Sequence, residues 1–188
     1  KARDTNTQFE FLHWIQDRTA MLSGLAESTL LHDDGYQFMM LGRNMERADM
    51  TSRLIGSPYS RLYGAASAVT LLRCCWGYEA FVRSAQRAIT ARDAAEFLLL
   101  DPMFPRSVVF AVRAAEAAMD GVDPRADHSD DARRMLGALG AGLEFGKPDE
   151  LLSDIPTLVH DIESRVVEVH YAVTARYFSE NPAIEWSA

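Results

Sequence analysis

Asp33-Asp34-Gly35-Tyr36-Gln37-Phe38-Met39-Met40-Leu41-Gly42-Arg43-Asn44-Met45-Glu46-Arg47-Ala48-Asp49-Met50-Thr51-Ser52-Arg53-Leu54 is the stretch whose reading decides the fold class. Asp33 to Gly35 reads as a turn and the remainder as one helix that ends near Ile55. At about 100° per residue, Phe38, Leu41, Met45, Ala48, Ser52 and Ile55 share one stripe, the core face of an amphipathic helix. Met39, Met40, Met50 and Leu54 gather on the opposite side, with Arg43 and Arg47 among them and Glu46 beside them. Apolar residues on both sides imply a helix covered by neighbours on both sides. Its arginines then lie close to apolar surface, where a charge needs a partner.

Working outward, the same periodicity predicts helices on either side. Residues 4–31 read as one long helix, with Phe9, Leu12, Ile15, Ala20, Leu22, Leu25 and Ala26 on a broad apolar side. Gly56-Ser57-Pro58 stops the quoted helix, residues 59–64 connect, and 65–88 read as a third helix. Thr90 is an N-cap for a short helix over 91–100. Asp101-Pro102-Met103-Phe104-Pro105 breaks the chain, with Pro105 suited to the first position of a helix that runs over 106–119. Ser129 caps a helix to about Leu143, 148–152 form one turn, and Asp154 caps a last long helix over 155–178. Residues 179–188 read as a loose tail. Seven to eight helices with no strand give an all-α bundle, a single domain over 1–178.

The totals narrow the function. The chain has 188 residues, 48% hydrophobic and 24% charged, enough for one domain with a real core. A formal net charge of −8 argues against nucleic acid and against anionic membrane surfaces. No apolar run approaches the ~18–20 residues of a membrane helix. Cys74 and Cys75 are adjacent and point about 100° apart on a helix, so they read as reduced core residues of a cytoplasmic protein. The chain opens at Lys1 without a methionine and reads as a fragment, a processed product or part of a longer chain.

Few residues are arranged for chemistry. There is no phosphate loop of the GxxxxGK[ST] type, no GxSxG and no CxxC. Glu10 and His13 make one ExxH pair, but a di-iron bundle needs a second, and His160 with Glu163 runs in the reverse order. No metal site and no cofactor are therefore expected. Arg106 and Ser107 open a helix, where an anion binds well, although Asp101 is the simpler partner for Arg106. Arg43, Glu46 and Arg47 are neighbours on one helix, and two guanidiniums so close require anions between them. Glu79 or Glu10 would supply an internal ion-pair network; a ligand is the alternative. Trp14, Trp76 and Trp186 show no ligand-cage spacing, and the first two read as core.

At these residues the chain resembles the bacterial alpha-E domain, named for a helical glutamate-arginine motif, here Glu46-Arg47. The quoted stretch carries the likeness. So do Leu71-Leu72-Arg73 with Glu79-Ala80-Phe81, the block Glu96-Phe97-Leu98-Leu99-Leu100-Asp101-Pro102-Met103-Phe104-Pro105-Arg106-Ser107, Leu143-Glu144-Phe145 through Asp149-Glu150-Leu151-Leu152, and Arg176-Tyr177-Phe178. Members of that family are longer and begin with an earlier helix bearing its own glutamate-arginine motif, which has no counterpart here. The resemblance implies a helical companion of circularly permuted ATP-grasp ligases and transglutaminase-like proteins, acting in trans or fused to the ligase. The expectation is a non-catalytic accessory module of an amide- or peptide-forming ligase system, with Arg43, Glu46, Arg47, Glu79 and Arg106 as its binding or structural network. One alternative is an enzyme that uses Glu46 as acid or base beside Arg43 and Arg47. The other is a dimerising scaffold, a homo-oligomer with exposed apolar surface.

Overall fold

The computed structural model describes residues 5–57, 64–85, 89–124 and 130–178, and the regular structure among them is helical throughout. The fold is an all-α bundle. Helix α1 spans Thr5–Thr29 and α2 spans Asp34–Gly56. Asp33 caps α2: its backbone is extended and its carboxylate accepts the Tyr36 N–H at 3.1 Å, which satisfies a donor the helix leaves open.

The stretch 65–88 is not one helix. It forms α3 (Gly64–Cys74) and α4 (Tyr78–Ala85), with residues 86–88 outside the described set. The break is a Schellman closure. The Gly77 N–H reaches the Leu72 carbonyl at 2.8 Å and the Trp76 N–H reaches that of Arg73 at 3.0 Å. Trp76 takes the left-handed position, φ 56°, which usually belongs to glycine. The glycine stands one residue later for a packing reason. A Cβ on Gly77 would lie 3.0 Å from the Phe104 ring and 3.2 Å from that of Phe97.

Helix α5 (Ala91–Leu100) is capped by Thr90, as its sequence predicts. The following turn is held from within. Asp101 accepts the N–H groups of Met103 and Phe104 at 2.8 and 3.0 Å, and Ser107 donates its hydroxyl to the Asp101 carbonyl at 2.5 Å. Ser107 also caps α6 (Val108–Val122), so Pro105 and Arg106 precede the helix instead of opening it. Helix α7 (Asp131–Phe145) is capped by Asp130; Ser129 lies outside the described residues, as do Pro58 of the stop signal, 59–63 of the expected connection and the tail 179–188 with Trp186. A single turn, α8 (Pro148–Leu151), and a 3-10 turn (Leu152–Asp154) lead into α9 (Ile155–Tyr177).

Helices α2, α6, α7 and α9 close a ring in which each neighbour runs antiparallel to the last. Thr51, late in α2, bonds the carbonyl before α6, while Gly121 at the end of α6 makes room for Gln37. Phe38 packs its ring edge-on to Tyr177 at 5.3 Å, which sets the start of α2 beside the end of α9. The α2–α6 pair makes the most extensive contact among the described helices, and both bring small buried residues to the core, Ala48 and Ser52 on α2 and Ala111, Ala115 and Ala118 on α6, which allow a close approach. The α2 stripe read from periodicity is the core face: Leu41, Met45, Ala48, Ser52 and Ile55 are buried and Phe38 packs against them. Helices α3 and α5 pack on each other beside this ring, and the Phe97 ring of α5 touches both Phe81 of α4 and Phe104 of the following turn.

Helix α1 stands apart. It makes no extensive contact with any other described helix, and Phe9, Phe11, Leu12, Trp14, Leu22 (64% accessible) and Leu25 lie on the surface. Two expectations are corrected here. Trp14 and Trp76 are not core residues: α1 has no described helix to bury Trp14, and the turn after α3 turns Trp76 outward. Of the two free cysteines, Cys75 is buried but Cys74 is exposed. No described helix is long and apolar enough to cross a membrane.

Candidate functional site: an arginine cluster on helix α2

Arg43 and Arg47 stand one turn apart on α2, both half-buried, and Thr51 continues the same line. Asn44 is buried beside them. Its amide donates to the Met40 carbonyl at 2.8 Å, and its oxygen lies 3.5 Å from an Arg47 guanidinium nitrogen. Thr51 donates to the Arg106 carbonyl at 3.1 Å, which fastens the proline turn to α2 one turn beyond Arg47. The sequence thus brings together three guanidiniums from two segments. Burial depresses the Arg47 pKa below its ordinary value, the charges of Arg43 and Arg106 push the same way, and Glu27 at the end of α1 opposes them.

The carboxylates expected to balance this charge are elsewhere. Glu46 is exposed and Glu79 is exposed in the first turn of α4; among the described residues neither forms an ion pair with Arg43, Arg47 or Arg106. The internal network read from the sequence does not form. The break at residues 75–77 gives Glu79 to a separate helix. The simpler pairing of Arg106 with Asp101 is absent among the described residues as well; one oxygen of that carboxylate accepts both N–H groups of its own turn. Asn44 and Thr51 went unread: both are buried polar residues on the arginine side of α2, at i,i+3 and i,i+4 from Arg47.

Glu46 has no acid or base partner beside it in the described structure, and no group of His, Cys, Asp and Glu there is able to hold a metal. The pair Glu10 and His13 belongs to no such group. An open apolar cleft of about 400 Å³ lies between Ile55, Leu71, Ala95, Leu152 and Ile155, with Arg92 at its rim paired to Asp149 at 2.7 Å. By contrast with the arginine cluster, the opposite end of the bundle has a satisfied polar node. Asp130, 1% accessible, accepts the N–H groups of Ala132 and Arg133 and the Tyr177 hydroxyl at 3.1 Å. Burial, and then the Asp130 charge, raise the Tyr177 pKa.

A family model described as Alpha-E, a predicted alpha-helical domain with a conserved ER motif, matches residues 1–178. Uncharacterised proteins of Mycobacterium bovis and Mycobacterium tuberculosis are each 24% identical over 134 residues, which is 69% of this chain and 15% of theirs. The aligned part is thus a small fraction of those relatives' length. No solved structure matches this chain.

Proposed function

The chain belongs to the Alpha-E family, and from that premise we propose that it is the non-catalytic helical partner of an ATP-grasp-type, amide-forming ligase, in trans or within one longer protein. The single observation behind this reading is α1. It is a regular helix of 25 residues that carries large apolar side chains into solvent, while α2, α6, α7 and α9 bury their own faces against one another. Exposed apolar surface of this extent is characteristic of a docking element. The ligase is its occupant: the relatives are several times longer than the aligned stretch, so most of their chain lies outside it. Glu46, solvent-facing and without a proton-relay partner among the described residues, does not favour catalysis in the domain itself. The cytoplasm suits such a system and the two free thiols.

Co-purification of the full-length protein with the ligase, fused or separately expressed, tests the proposal. The complex is expected to survive gel filtration and to be lost with Leu22→Glu or Leu25→Glu. Absence of any complex, together with amide-forming or amide-cleaving turnover by the isolated domain, would overturn it in favour of the enzyme. Self-association through α1 alone would overturn it in favour of the scaffold.

A further inference from the structure

We infer that Arg43, Arg47 and Arg106 form a binding site for an oxyanion, a carboxylate or a phosphate group, held between the middle of α2 and the turn before α6. Arg43 and Arg47 stand half-buried one turn apart, and Arg106, exposed on the proline turn, is fastened beside them through its backbone carbonyl. The charges of Arg43 and Arg106 both act on Arg47, and among the described residues none of the three forms an ion pair. Arginine does not escape this repulsion by losing its proton, as a lysine would. An arginine that is half-buried and unpaired calls for an anion from outside the bundle.

The anchoring is built for that purpose. Asn44, itself fixed by the Met40 carbonyl, holds one nitrogen of Arg47 and leaves the remaining guanidinium donors available. Thr51 fixes the backbone of Arg106. Two arginines on α2 and a third from the facing turn can grip two or three oxygens of one group through paired N–H donors. Helix α6 begins at Val108, directly after the site, and its positive end adds to the field. Glu27 is near enough to act on Arg47 through space yet too far for an ion pair, so it leaves the position between the guanidiniums to a ligand.

The test is calorimetric titration of the full-length protein at low ionic strength with two probes, inorganic phosphate and succinate. Saturable binding of one probe or both is expected, and the better probe names the class. Arg47→Met should abolish that binding. Arg43→Gln and Arg106→Gln should each weaken it about tenfold, the loss of a charge-assisted hydrogen bond. Arg47→Lys should retain part of it, and Arg134→Gln, an exposed arginine already paired with Asp131, should leave it unchanged. Arg47→Met loses its contact with the buried Asn44 oxygen, so its circular dichroism and cooperative melting in anion-free buffer are recorded beside the titration, and lost binding is read only where the variant is folded. No saturable binding by either probe, or binding that persists in folded Arg47→Met, overturns the site. Docking through α1 does not depend on this result, and its loss would leave the titration unaffected.

Discussion

Trp76 occupies a backbone position that favours glycine. A left-handed conformation costs a bulky L-residue about 1–2 kcal/mol, and an exposed tryptophan recovers little of that through packing. Trp76→Gly should therefore raise stability by up to about 1 kcal/mol after the added flexibility of glycine is counted. Chemical denaturation checks it, and a clear loss would show that the indole is packed after all. At the far end of the bundle, Tyr177→Phe removes a donor from the buried Asp130 carboxylate. It should cost roughly 1.5–3 kcal/mol, read as a shift in the urea midpoint. Cys75 connects stability to pH. Burial raises its thiol from 9.0 to about 11, so the folded state prefers the neutral form. The stability owed to that preference is fully present below pH 9 and is lost as pH climbs through 11, about 2–3 kcal/mol in all. Urea midpoints from pH 8.5 to 11 should fall more steeply for wild type than for Cys75→Ala.

At the scale of the helix, α1 and α2 make opposite use of similar sequence. Both carry apolar residues around much of their circumference, yet only α2 has neighbours that bury one face fully and most of the other in part, Met50 alone of its far-side group remaining exposed. Leu22→Glu is accordingly expected to change the melting of this chain by no more than about 0.5 kcal/mol, the ordinary range for a surface site. The same change at Leu98 or Leu136, both fully buried, would place a charge in the core and prevent folding. A large drop from Leu22→Glu, measured by differential scanning calorimetry, would show that α1 packs on the bundle in solution. The short helices carry their own information. The 65–88 segment has helical spacing throughout, but Trp76-Gly77 interrupts it, and the reason, ring contact with Phe97 and Phe104, lies twenty and more residues away in the chain.

Across the whole molecule, the legible part was whatever depends on local pattern. The core stripe of α2, the Thr90 and Asp154 caps and the all-helical character of the described residues follow from spacing and capping chemistry, and the structure has them. Non-local placement was not legible. The pairing of Arg106 with Arg47 arises from a hydrogen bond between residues 55 apart, and the failure of Glu79 to reach them follows from a break in a different helix. Charges that look like an ion-pair set in one dimension are sorted into separate places in three. The anion site is thus visible only after folding, because what defines it is the carboxylate that did not arrive.

The insertion of α3, α4 and α5 between the partners α2 and α6 also bears on how the ring is made. Helices α6 and α7 are near neighbours in sequence and meet cheaply, whereas joining Thr51 to Arg106 closes a loop of 55 residues. Relative to a five-residue connection, closure on that scale costs about 2 kcal/mol of chain entropy before any contact is made. The small-residue seam between α2 and α6 is therefore the non-local contact whose closure weighs most on the folding rate. Only that closure sets the two arginines of α2 beside the turn that presents the third, so the proposed binding position belongs to the completed fold.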